Sequence, residues 1–467
     1  MLIYIAGKIL HKNSSGNKDS LCAKSVRRKE DYMTIEKATA KDLLHFIKYA
    51  TSPFQVVEES RTLLNESGFE ELDFGRPWSL TPGASYYTVP YGTTLFAFSV
   101  GKEFRAGDSI HIASAHTDHP CLRIKPKAEM CDHEYLKLDV EFYGGASVMT
   151  WLDRPLSVAG KVTIKSGDIY HPFTRLVDFH RPLLTIPSLA VHMSRDNAKN
   201  GDYNKQTEML PIIGMLSAQL EKDSYFIDLL AKECKVKASD ILDFDLYIYN
   251  AEEGCLLGMQ QELISAPRLD NLTSCYACLT AITASSVMTE ISDRLNIIAL
   301  FDNEEIGSRT KQGADSMISN LLLQKIYDGL SYDQVRLTDS LFHSMMLSLD
   351  VAHAYHPNFA QKNDPNLIVT CGHGPALKIS YSQRYATDTE AIGIIEQLCQ
   401  ANDIPYQKYV NRSDITGGST LGTILSAYLP VKTVDIGIGI LAMHSAREFM
   451  GTADQTALNT LVYCFFL

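Results

Sequence analysis

No stretch of about 18 or more uninterrupted apolar residues occurs in the 467-residue sequence, which argues against a membrane-spanning helix. An excess of basic charge is missing as well. The 43 Lys and Arg stand against 55 Asp and Glu, a net of −12, which disfavours nonspecific nucleic-acid binding and adhesion to anionic membranes. The 10 cysteines are scattered and do not form a disulfide framework, so they read as reduced thiols of a cytoplasmic protein. Internal repeats and low-complexity segments are also lacking. What remains is ordinary for a folded chain, with 45% hydrophobic and 21% charged residues. At roughly 100–200 residues per domain, the length implies two or three domains.

Residues 1–33 are basic, with Asp19, Glu30 and Asp31 as counter-charges. Their apolar opening, MLIYIAGKIL, is too short and badly flanked for a signal peptide. Basic residues suit an organelle presequence, but the three acids near the end of the segment count against one. The segment reads as a peripheral extension, either a loose tail or a stretch upstream of a start at Met33. From Thr34 onward, TIEKATAKDLLHFIKYA carries apolar residues at helical spacing, and Thr34 marks the expected helix start.

Three short apolar runs end in polar residues: SIHIASAH (109–116), NIIALF (296–301) and TVDIGIGI (433–440). Helix-like stretches at 272–290, 317–328, 388–401 and 455–466 lie between and after them. The alternation predicts an α/β fold, a mostly parallel sheet flanked by helices, with ligands beyond the carboxyl ends of the strands. The segment 120–255 differs. KLDVEFYGG and LSVAGKVTIKSG alternate in strand fashion around glycines. It reads as an inserted smaller β-rich domain that splits the α/β domain into 34–119 and 256–467.

The strand ends carry metal-type ligands. His116 is followed by Thr117 and Asp118, and a carboxylate two residues on can orient an imidazole. Taken alone, HxD is a weak signal. In FDNEEIGS (301–308), Glu304 and Glu305 are adjacent, so one carboxylate can bind a metal while the other reaches a bound water; a solvated acidic loop is the bland alternative. Asp270 in SAPRLDNLTS precedes a helix and by itself would be an ordinary cap. Asp350 follows MMLSL, where a buried carboxylate needs a partner. His444 in ILAMHSARE follows an apolar strand and opens a helix; alone it would be structural. Together, two His and three or four carboxylates at strand ends make the ligand mix for two zinc ions sharing a bridging carboxylate. A thiolate site fits less well, since the only close cysteine pair, Cys275 and Cys278, lies inside a helix-like stretch.

HTDHPCLRIKP, YGGASVMTWLDRPLSVAGKV, PRLDNL, FDNEEIGS, SLDVAHAYHPN, QRYATD and LAMHSAREFMG resemble, in order, the signature blocks of the aspartyl aminopeptidase family of binuclear zinc exopeptidases. The resemblance covers residues 35–467. It implies one zinc on His116 and Asp350, the other on Glu305 and His444, and Asp270 bridging them. It further implies Glu304 as general base and Asp118 behind His116. Lys378 and Tyr385 match substrate-contacting positions, and His192 matches an insert-domain histidine that reaches a neighbouring subunit's active site. Family members assemble as tetrahedral dodecamers, so the resemblance implies a homo-oligomer in which segment 120–255 serves oligomerisation and substrate access.

One position departs from the pattern. The family usually reads HTDSP, and this chain has HTDHP, which puts His119 beside the metal-binding triplet as a source of altered pKa values or a spare ligand. The expected activity is removal of N-terminal residues, Asp or Glu by resemblance, from peptides with a free N-terminus. Two Zn²⁺ would activate water, with Co²⁺ or Mn²⁺ as substitutes. Lys378 suits an acidic first side chain. The competing readings are a broad-specificity binuclear-zinc aminopeptidase, a deacylase, or a silent assembly protein that keeps the family shell.

Overall fold

The computed structural model describes residues 21–193, 203–216 and 224–467. Its first element is helix α1 (Leu21–Tyr49). The helix begins ahead of Thr34 because no Gly or Pro interrupts the run from Leu21. Its final turns bury Leu43, Phe46 and Ile47 in the core. Residues 1–20 of the expected extension lie outside the described residues.

Four parallel strands form the centre of a nine-stranded sheet: β1 (Ile110–His116), β2 (Leu295–Phe301), β3 (Met345–Leu349) and β4 (Lys432–Gly437). Their spatial order is β2-β1-β3-β4. Antiparallel strands flank this block, Leu95–Val100 beside β2 and Ala376–Ile379 beside β4. Alternation assigns the two faces to different cores. On β2, Ile298 and Leu300 join one cluster, while Ile297, Ala299 and Phe301 join the other. Burial on both faces explains why these strands read as continuous apolar runs.

Helix α2 (Leu269–Ser285) packs in the first of these cores, with α3 (Thr452–Phe466) against it. The span Leu269–Ile291 is long and apolar enough to cross a membrane by length and composition, but 67% of that window is buried inside the protein. The apolarity of α2 therefore follows from being covered by its own chain. Cys275 and Cys278 are both buried in it, and Cys275 Sγ donates to the His116 carbonyl at 3.0 Å. All cysteines with described side chains are free thiols.

A second sheet of six antiparallel strands lies within residues 121–250, with its own apolar core of Leu122, Val140, Val158 and Ile248. A third, five-stranded sheet holds the hairpin of Gly439–Leu441 and Glu448–Gly451. The residues between those two strands form the turn that carries His444. The helix expected to open there does not form. Ala442 and His444 have φ of +57° and +64°, and antiparallel pairing across the hairpin overrides local helix propensity.

Candidate metal centre

Parallel strands that end together put their following residues side by side. His116 closes β1, Glu304 and Glu305 follow β2, and Asp350 follows β3. Asp270 comes from the opening of α2, where it and Asn271 leave helical geometry. His444 completes the group from the hairpin turn. These six residues line one cavity of about 480 Å³.

Within it, the two oxygens of Asp270 face opposite ways. Oδ1 lies 3.5 Å from His116 Nε2, which is also 3.6 Å from Asp350 Oδ1. Oδ2 lies 3.4 Å from His444 Nε2, which is also 3.4 Å from Glu305 Oε2. Two donors each ~2.1 Å from a tetrahedral zinc ion stand ~3.4 Å apart. The donor atoms of His116, Asp270 and Asp350, and those of Asp270, Glu305 and His444, lie within 4.8 Å of one another. Donor chemistry and spacing thus fit zinc, and Glu305 Oε1 is buried without a hydrogen-bond partner among the described residues.

The imidazoles are oriented from behind. His116 Nδ1 is 3.0 Å from the Asp118 carbonyl oxygen, and His444 Nδ1 is 3.2 Å from the Gly145 carbonyl oxygen. A carbonyl only accepts, so each Nδ1 carries a hydrogen, and each Nε2, facing the acids, is the nitrogen that can bind a metal once its proton is displaced. Gly145 permits this approach, because a Cβ there would meet His444 Nδ1 at 2.9 Å.

Asp118 does more than stand behind His116. Its carboxylate is 3.4 Å from His116 Nδ1, but its hydrogen bonds come from the backbone N–H groups of Glu304 and Glu305, both at 3.1 Å. It thereby fixes the turn that presents both glutamates. Tyr143, at the end of a strand of the six-stranded sheet, donates its hydroxyl to the same carboxylate, and Asn303 donates to that hydroxyl at 3.0 Å.

Glu448 is a second buried organiser. It accepts the backbone N–H of Asp270 at 3.0 Å and that of His444 at 2.8 Å. Sequence reasoning missed Tyr143, Gly145 and Glu448. All three lie in quoted blocks, YGGAS and HSARE, yet their types alone point to no chemistry.

Lys378 and Tyr385 line the same cavity. The buried Lys378 ammonium donates to the Val351 carbonyl at 2.9 Å and lies 3.7 Å from Asp350 Oδ2. Tyr385 is buried 5.2 Å from that ammonium, measured to the ring centre. His192 is exposed and does not line the cavity. His119 is buried beneath the site beside Trp151, Arg268 and Glu448, and neither ring nitrogen has a partner among the described residues. Burial pushes its pKa well below the usual value, with Arg268 adding to the effect, so the ring is neutral. It belongs to none of the three donor clusters.

The electrostatics show what the acids lack. Burial raises Glu304 to about 8, with His116 opposing and Asp350 reinforcing the shift. Burial raises Glu448 to about 8, helped by Asp270. Burial works against charge on His444, but its hydrogen bond to Asp270 outweighs this and lifts it to about 9. Burial likewise opposes charge on Asp270, yet the two imidazoles hold it below the usual carboxylate range. Protons are doing the neutralising, and a divalent cation can replace them.

The match to known proteins spans nearly the whole chain. A family model described as "Aminopeptidase I zinc metalloprotease (M18)" matches residues 46–466. A Clostridium acetobutylicum protein named "Probable M18 family aminopeptidase 2" is 42% identical over 417 residues, covering 89% of this chain and 95% of that one. The "Aspartyl aminopeptidase" of Aspergillus oryzae is 35% identical over 481 residues, covering 92% and 96%. Among solved structures, the S. cerevisiae mApe1 dodecamer aligns with a TM-score of 0.81 at 26% identity, covering 93% of this chain and 97% of its own. With its ligand-type residues gathered in one cavity, the chain belongs to the M18 family of zinc metallo-aminopeptidases.

Proposed function

We propose that this aminopeptidase removes N-terminal Asp or Glu from peptides at a pair of zinc ions. His116 and Asp350 would hold one, Glu305 and His444 the other, and Asp270 both. The observation that carries this reading is the divided Asp270 carboxylate, with one oxygen 3.5 Å from His116 Nε2 and the other 3.4 Å from His444 Nε2. Bound zinc supplies Lewis acidity toward the peptide carbonyl and lowers the pKa of water; cobalt or manganese suits the same donors.

The chain's own groups do the rest. Glu304, held by Asp118 through its backbone N–H, takes the proton of the attacking water and delivers it to the leaving amine. The acids of the cavity receive the free α-amine. Lys378, with Tyr385 beside it, offers the cation for an acidic first side chain. That preference is supported by 35% identity to the Aspergillus oryzae aspartyl aminopeptidase.

A dodecamer is supported by the likeness to the mApe1 dodecamer. In such an assembly, segment 120–255 serves contact and access, bringing His192 to a neighbour's cavity. Ile169, Tyr170 and Phe173, all strongly exposed apolar side chains, lie on that segment. The free thiols fit a cytoplasmic setting.

The test is metal content per chain, with rates on Asp-, Glu- and Leu-amides and N-acetyl-Asp-amide, before and after chelation. Two equivalents, faster Asp and Glu turnover, inert blocked substrate and loss on chelation are expected. A single equivalent overturns the pair of ions, equal Leu turnover overturns the acidic preference, and strong cleavage of the blocked amide overturns the exopeptidase.

A further inference from the structure

A second cavity of about 560 Å³ adjoins the metal cavity, and His353, Gly418 and Met443 line both. Its walls come from two loops, 353–369 and 409–418, and from residues 440–443. Arg412 ties these loops together, donating to the Gln361 carbonyl at 2.6 Å while paired with Asp414 at 2.6 Å. The space is therefore built into the fold and opens directly onto the proposed reaction centre.

The chemistry of its lining differs from that of its neighbour. Asp364 is occupied by the backbone N–H groups of Asn366 and Leu367, both at 2.9 Å. Arg412 is occupied by Asp414, and Lys362 also lies near that acid. Between the polar His353, His356, Asn363, Asn411 and Thr416, the lining also presents apolar side chains to a ligand. Phe359, Leu367 and Ile415 are 53%, 37% and 38% exposed there, above buried Val369.

A peptide whose free amine and first side chain occupy the metal cavity beside Lys378 must continue beyond the reacting carbonyl. The shared wall at His353 and Met443 is a direct exit into the second cavity. We propose that this cavity receives the residue following the scissile bond and selects a large apolar side chain, such as Leu or Phe, at that position. The proposal rests on the peptide reading given above and extends specificity to the second residue of the substrate.

The test compares Asp-Gly-Gly, Asp-Ser-Gly, Asp-Leu-Gly and Asp-Phe-Gly, with Asp-amide as a reference that has no second residue. The holoenzyme and a Phe359→Ser/Leu367→Ser double variant are assayed. In the natural enzyme, kcat/KM for the Leu and Phe peptides should exceed the Gly peptide by roughly tenfold, mainly through KM. In the variant, that ratio should collapse to within about twofold. Both changed side chains are exposed, and each ratio is taken within one protein, so a general loss of activity cancels.

Equal rates across the series in the natural enzyme would overturn the proposal. A ratio unchanged in the variant would also overturn it. Acidic preference is read separately from the amide panel. If another first residue is preferred, the series is run on that residue, so failure of one reading does not obscure the other.

Discussion

Tyr143 donates its hydroxyl hydrogen to the Asp118 carboxylate across 2.7 Å. This contact joins the six-stranded sheet to the residue that holds the Glu304–Glu305 turn. The neighbouring Gly145 carbonyl orients His444 from the same loop. Residues 143–145, where a strand of the six-stranded sheet ends, are thus part of the wall behind the proposed metal ligands.

Removing that hydroxyl should be felt at the reaction centre. Tyr143→Phe keeps the ring and its packing but deletes the bond to Asp118 and the acceptor for Asn303. Loss of one such bond is worth about 1 kcal/mol, or roughly fivefold in rate if it falls on the transition state. The expected result is a lowered kcat on Asp-amide with KM little changed, measured by steady-state kinetics beside a melting curve.

Glu448 should matter to metal retention. Glu448→Ala leaves the Asp270 and His444 N–H groups without their acceptor, and both residues belong to the donor set around Glu305. Dialysis against a competing chelator should strip zinc from this variant sooner than from the natural enzyme, as read by elemental analysis. Equal retention would limit Glu448 to a packing role.

Glu304→Gln separates the proposed base from the proposed ligands. The substitution keeps shape and leaves His116, Asp270, Glu305, Asp350 and His444 intact. Metal content should be unchanged and kcat should fall by about 10²–10⁴-fold. Near-normal turnover would remove Glu304 from the proposed role.

Stability of the metal-free protein should fall as pH rises. Glu304 and Glu448, raised to about 8, and His444, raised to about 9, all bind protons more tightly folded than unfolded. Groups with raised folded pKa values contribute fully below their unfolded pKa and lose that contribution as pH climbs through the folded value. Differential scanning calorimetry should show the metal-free melting temperature dropping between the ordinary carboxylate range and about pH 9. Zinc-loaded protein should drop less, so the gap between the two widens with pH.

Much of this site is legible in the sequence because parallel strands buried on both faces leave a plain signature. A short apolar run ends, and the next polar residue sits at the carboxyl end of the sheet. IHIASAH ends on His116, MMLSL leads directly to Asp350, and LNIIALF leads through Asp302 and Asn303 to Glu304–Glu305. His444 and Asp270 are harder. One sits in a left-handed turn between paired strands and the other at a distorted helix start, so local periodicity suggests a helix opening for the first and a cap for the second. Tyr143 and Glu448 were out of reach. Besides a nearer partner, each also meets one more than a hundred residues away, Asn303 for Tyr143 and Asp270 for Glu448, and no spacing encodes such a meeting.

The order of the proposed ligands along the chain carries a consequence for biosynthesis. His444 is the last of them, and its turn is set by pairing of Gly439–Leu441 with Glu448–Gly451. A nascent polypeptide that has not yet emerged that far lacks the second donor set, whatever else has folded. On the proposed ligand set, hydrolytic competence would arrive only after the last hairpin of the chain has formed.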